Sequence, residues 1–192
     1  HGDHLRNQEL VPAAFDNLLS PTDLTNQDKT TSIALKDIAG EPYYWINEKQ
    51  LVNACTGEAK QEITKEEALQ ISKINMKPGL KVATINRIEN VDAHSEYRGK
   101  PLPAYAISYE SSENVIAYVS VKDGQFQTLR HRDWRWFDFL WMSHTMDYQG
   151  RDNFNTIVLR VFSLLGLITV LSGFTLWFTS SPAIRKLGKK KK

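Results

Sequence analysis

The chain has 192 residues, 41% of them apolar and 24% charged, with a formal net charge of +2. This is too apolar and too balanced for a chain disordered throughout, and the length suits one domain plus an appendage rather than a large barrel with catalytic loops. A single cysteine, Cys55, excludes an intrachain disulfide framework, and a mean hydropathy of −0.42 excludes a protein of many membrane spans.

Residues 1–30 form a polar, Asn- and Asp-rich segment, with a short helix expected around Ala13–Leu19 and a turn or helix start at Ser20-Pro21-Thr22-Asp23. Ser32–Ile38 reads as a strand and Ala39–Pro42 as a turn. Tyr43–Ile46 and Leu51–Cys55 read as a hairpin closed by Thr56-Gly57, which makes Cys55 a buried strand thiol. The clearest helix runs from Ile63 to Ile74. Thr64 and Glu67 have capping-box spacing, Ile63 stands at the staple position, and Ala68, Ile71 and Ile74 with Leu69 form an apolar stripe that Pro78-Gly79 ends. Four strands follow, at Val82–Ile88, Pro103–Tyr109, Val115–Val121 and Phe126–Leu129, the last pair joined by the turn dipeptide Asp123-Gly124. One helix packed on antiparallel strands makes residues 31–133 an α+β domain.

Residues 134–153 are of another character. Trp134–Tyr148 carries three of the five tryptophans and reads as an amphipathic helix resting at a membrane interface, with Gly150–Asn153 as an elbow. Residues 154–180 hold the membrane span. Val161–Phe178 contains no charge, and Thr156–Phe178 contains only Arg160, whereas about 20 apolar residues suffice to cross a hydrocarbon core of about 30 Å. Gly166 and Gly173, with Ser163 and Ser172 nearby, form a small-residue face against which another helix can pack. Residues 181–192 are a basic tail: six of the 24 Lys and Arg lie between Arg185 and Lys192, and all 22 acids precede them. The rest of the chain therefore carries about −4 and has no nucleic-acid footprint. By the positive-inside rule the tail is cytoplasmic, held beside anionic lipid, and residues 1–153 lie outside. The polar opening at His1 has no signal peptide, so a further transmembrane helix is expected before it.

The order of these features resembles the PepSY-associated transmembrane proteins of bacterial envelopes. The segment Ile63-Thr64-Lys65-Glu66-Glu67-Ala68 is similar to that family's helix opening, and Val119–Phe126 is similar to its closing hairpin. Trp45-Ile46-Asn47 with Thr56-Gly57-Glu58 looks like a second copy of that hairpin, which implies two related halves. The approach through His144-Thr145-Met146-Asp147 and Gly150-Arg151, and the span's end at Ser172–Trp177, also resemble the family's final span. The resemblance covers roughly residues 40–180 and implies the bacterial inner membrane with a periplasmic ectodomain. It also implies two functions: peptidase regulation, or haem-dependent reduction of ferric siderophores in iron uptake.

The candidate chemistry is sparse. No GxSxG, HExxH, P-loop or dinucleotide fingerprint occurs, and Glu66-Glu67 is explained by the helix dipole and cap, so no catalytic constellation emerges. His1 and His4 have chelating spacing without a closing element; His94 and His131 lie among charged residues and read as solvated or surface-paired. His144, near the span among Trp141, Met142 and Met146, is the candidate ligand for haem b, with Arg151 and Arg160 as propionate partners. The expected function is a non-enzymatic periplasmic module of an envelope complex, with the bilayer and another envelope protein or transmembrane helix as partners. The alternative is a haem-binding electron-transfer subunit of a ferric-siderophore reductase.

Overall fold

The structure is a computed structural model that describes residues 2–9, 13–24, 30–92, 94–147, 153 and 155–180. The chain divides into two units, His1–Phe137 and Asp138–Lys192. The basic tail and Arg151 lie outside the described residues.

The first unit contains two four-stranded antiparallel sheets. The strands β1 (Ile33–Ile38), β2 (Glu41–Ile46), β3 (Gln50–Asn53) and β4 (Ala59–Lys60) form one in that order, and β5 (Val82–Ile88), β6 (Ala104–Tyr109), β7 (Ile116–Ser120) and β8 (Phe126–Arg130) form the other. Each strand thus pairs with its neighbour in sequence, the cheapest connectivity for antiparallel strands. The turn between β1 and β2 is only Ala39-Gly40, at φ of 56° and 91°, and the Asp37 carboxylate accepts a bond from the Gly40 amide at 2.8 Å. Two positive φ values match the strand twist and let Glu41 and Pro42 enter β2 rather than extend the turn.

Among the described residues two α-helices belong wholly to this unit, α1 (Pro21–Leu24) and α2 (Lys65–Asn75). The helix expected at Ala13–Leu19 is absent; the only helical turn in this stretch follows Ser20, where Pro21 presets φ at the first helical position. At the start of α2, the Thr64 hydroxyl accepts from the Glu67 amide at 3.2 Å and the Glu67 carboxylate accepts from the Thr64 amide at 2.7 Å, the expected capping box. Lys60 ties β4 to the same carboxylate at 2.7 Å. Ala68 and Ile71 of α2 are buried as expected, but Ile74 is exposed and Ser72 takes a buried position, its hydroxyl 2.5 Å from that of Tyr109. The helix lies over β6, β7 and β8.

One core is shared by both sheets. Ile38, Tyr43 and Leu51 pack in it with Ile107, Val115, Ala117, Val119 and Leu129, and Ile63, Ala68, Ile71 and Met76 close it. On the other face of the first sheet, Tyr44, Ile46, Val52 and Ala54 are covered by Leu18 and Leu24, and the Tyr44 hydroxyl donates to the Leu19 carbonyl at 2.9 Å.

Cys55 departs from its expected place. It lies exposed in a turn after β3, because the Asn53 side-chain oxygen captures the amides of Cys55 and Thr56 at 2.9 Å each and pulls the chain out of the strand.

The helix α3 (Arg132–Thr145) begins in the first unit and ends in the second; α4 (Ile157–Ser180) lies in the second. The 24 residues of α4 include none that is buried, and it is the one helix among the described residues long and apolar enough to cross a membrane. The hydroxyls of Thr169, Ser172, Thr175, Thr179 and Ser180 donate to carbonyls three or four residues earlier, at 2.6 to 3.1 Å. These bonds leave the polar atoms satisfied within the helix itself.

Candidate functional site

Of the residues singled out beside the span, His144 and Arg160 lie among the described residues. His144 lies on the exposed side of α3, with the Trp141 ring as an aromatic neighbour at a centroid distance of 6.4 Å. Arg160, in the first turn of α4, holds the Asn155 side-chain oxygen through Nε at 2.9 Å and Nη2 at 2.6 Å. A haem needs an axial donor in an apolar pocket, often two. Here the donor is one exposed imidazole, α4 contributes no histidine, and no group of three metal-ligating side chains gathers among the described residues. By themselves the described residues beside the span supply one such donor, not a pair.

The start of α3 is held by charge. Arg135 donates to both carboxylate oxygens of Glu96, at 2.5 and 2.9 Å, and to the Asn114 carbonyl at 2.7 Å. The Arg130 guanidinium lies 3.9 Å from the centre of the Trp134 ring. Beyond this, Trp136, Phe137, Phe139, Leu140 and Trp141 are all exposed.

His131 is not at the surface. It is 2% exposed, and neither ring nitrogen has a hydrogen-bond partner. It precedes α3, where the segment following β8 turns inward beneath the N-terminal turn at Asp3–Leu5, and the Leu129 side chain and the His131 ring lie against Gly2. His4 meets it edge-to-face at 5.8 Å; the Glu113 carboxylate is 3.8 Å from its Nδ1 and 3.2 Å from the Nε2 of His4. Burial holds the His131 pKa below its ordinary value, against the opposing pull of Asp133 and Glu113.

A cleft of about 650 Å³ lies between β1 and the β7–β8 hairpin of the first unit. Ser32, Ile33, Ala34 and Lys36 form one wall, with Trp45 and Glu48 from β2 and its turn. Ser120, Lys122, Asp123, Gln125 and Gln127 form the other, with Pro101 and Leu102 beside them. Lys36 and Asp123 pair across it at 3.0 Å, and Ile38 packs against Gly124, so the two walls meet at the turn end of β1. Its lining mixes Lys36, Glu48, Lys122 and Asp123 and four uncharged polar side chains with apolar ones, and its volume is that of a ligand pocket.

Neither this cleft nor the burial of His131 was anticipated from the sequence. For the cleft the sequence offered no local signal, because its lining comes from β1, β2 and the β7–β8 hairpin together. Compared with known proteins, the chain matches no family model, no curated protein and no solved structure.

Proposed function

We propose that the chain is a membrane-anchored, non-enzymatic binding module of a bacterial envelope. In this reading α4 crosses the inner membrane, the basic tail remains cytoplasmic, α3 rests at the periplasmic interface, and the sheet unit faces the periplasm as a PepSY-like ectodomain. The observation that carries it is α4 itself: 24 residues, apolar on every side, with none buried against protein. Exposing that much apolar surface to water is unfavourable by about 25 cal/mol per Å², whereas lipid accepts it. Two successive antiparallel sheets, with α2 on the second, support the PepSY-like arrangement, and a site-sized cleft supports binding.

Crosslinking in native membranes, followed by recovery of the full chain, tests this. A discrete envelope protein recovered in fixed proportion is the expected result. A chain extracted from membranes by alkaline carbonate, or recovered alone after crosslinking, overturns the proposal.

A further inference from the structure

Residues 2–7 run across one end of the sheet unit as a strap. At one end Gly2 lies against Leu129 and His131. In the middle Leu5 is buried in the shared core with Met76 and Leu129. At the other end the Asn7 amide donates to the Asn75 carbonyl and the Lys77 amide to the Leu5 carbonyl, each at 2.9 Å, which fastens the strap to the C-terminal end of α2. The Asn7 side chain adds a bond to the Ile74 carbonyl at 3.0 Å, and the Arg6 guanidinium lies 5.7 Å from the centre of the Phe126 ring.

His131 lies under the Gly2 end, with both ring nitrogens sealed from solvent and without a hydrogen bond among the described residues. A side-chain carbon at residue 2 would stand 3.1 Å from its Nε2, so the Gly2 backbone closes that side of the ring. On the Nδ1 side the Glu113 carboxylate is 3.8 Å away and is engaged by His4 at 3.2 Å. Asp133 faces the ring from the start of α3 and, like Glu113, favours its charged form; His4 and the amino-terminal charge oppose it. Arg130 is turned onto the Trp134 ring, and the Arg132 Nε lies 3.8 Å from Asp133. An imidazolium carries two N–H donors, and a buried charge whose donors go unmet is strongly disfavoured. Lifting the strap gives both donors to water.

We propose that residues 2–7 are an acid-released strap: protonation of His131 lifts Gly2–Asn7 from the end of the sheet unit and uncovers Met76 and Leu129, while both sheets and α2 stay folded. The ring is held neutral when the strap is closed and titrates normally when it is open, so falling pH favours the open form. Opening is local because the strap's main-chain bonds beyond its own turn reach only Asn75 and Lys77, whereas the strands beneath it are paired along their lengths. The device goes beyond the binding-module reading and does not depend on it.

The test is amide exchange on the full chain in lipid nanodiscs at pH 7.5 and 5.0, each rate being compared with that of an unstructured amide at the same pH. Protection of the Asn7 and Lys77 amides is expected to fall about tenfold, within a ceiling of roughly 30-fold set by an open imidazole of ordinary pKa near 6.5. The amides of β6 and β7 are expected to keep their protection. His131→Gln and His131→Phe are each expected to hold the strap's protection constant over this range. In the unmodified chain the ring nitrogen shifts of His131 report its charge directly, and they should move over the pH interval in which Asn7 and Lys77 lose protection. A ring that charges under a strap still protected, protection at Asn7 and Lys77 that does not change with pH, the same fall in a folded His131 variant, or a parallel loss in β6 and β7 each overturns the inference.

Discussion

In the sheet unit, Leu51, Ile107 and Val115 are wholly withdrawn from solvent, whereas Leu164, Leu167, Ile168 and Leu171 of α4 each leave more than half their surface uncovered. The residue types are the same, and the difference is the solvent each region is built for. Side chains in the sheets alternate between a shared core and the outside, so long-range packing decides stability. α4 has no preferred face, and in the proposed reading a bilayer takes the place of that packing. The hydroxyls divide in the same way: Ser72 finds a distant partner in Tyr109, while Thr169 and Thr175 turn back on their own helix.

Substitutions should separate the two regions. Ile107→Ala is expected to destabilise the sheet unit by about 2–5 kcal/mol through lost burial and a cavity. Urea unfolding followed by circular dichroism checks this, and membrane association should be unchanged. Ile168→Arg, at the middle of α4, should do the opposite. It disfavours insertion by about 3 kcal/mol and makes the chain extractable at high pH, while the unfolding midpoint of the sheet unit stays in place. A variant that damaged both properties together would break the division.

Smaller effects sharpen the account of the sheet unit. Thr64→Ala removes the cap of α2 and should cost about 1 kcal/mol of stability in the same urea experiment. His131 supplies a pH dependence whose sign is defined. Its folded pKa lies below the unfolded value, so the unfolded chain binds the proton first as pH falls. Its contribution is fully present above about pH 6.5 and is lost progressively below that, until the folded pKa is reached. Unfolding midpoints measured between pH 7.5 and 5 should fall for the native chain, and the His131→Gln variant should flatten that slope. Glu113, Asp133 and His4 also face this ring, so an unchanged slope in the variant would assign the dependence to them.

Regularity decided what was legible in the sequence. Alternation located β5–β7, short strand-like runs bounded by turn residues located β1–β3 and β8, a cap located the start of α2, and unbroken apolarity located α4. The two-residue β4 lay below any periodic signal, and Cys55 was lost to a turn directed by the Asn53 side chain, a local competition that hydropathy does not register. His131 sits between two arginines and an aspartate, so its neighbours in sequence imply exposure. Its burial comes from residues 2–5 folding over it, a contact across the whole length of the unit. The cleft depends on how β1 and the β7–β8 hairpin meet, again a long-range property. His144 lies on α3 and Arg160 on α4, the helices the sequence assigned them.

The central claim is that α4 divides the chain across a membrane, and Cys55 provides a direct measurement. It is the only cysteine and is exposed in the sheet unit. Intact bacterial spheroplasts carrying the full chain can be treated with a membrane-impermeant maleimide. The account predicts labelling of Cys55 without lysis, to the same extent as in broken cells. Labelling only after lysis would place the sheet unit in the cytoplasm and contradict it.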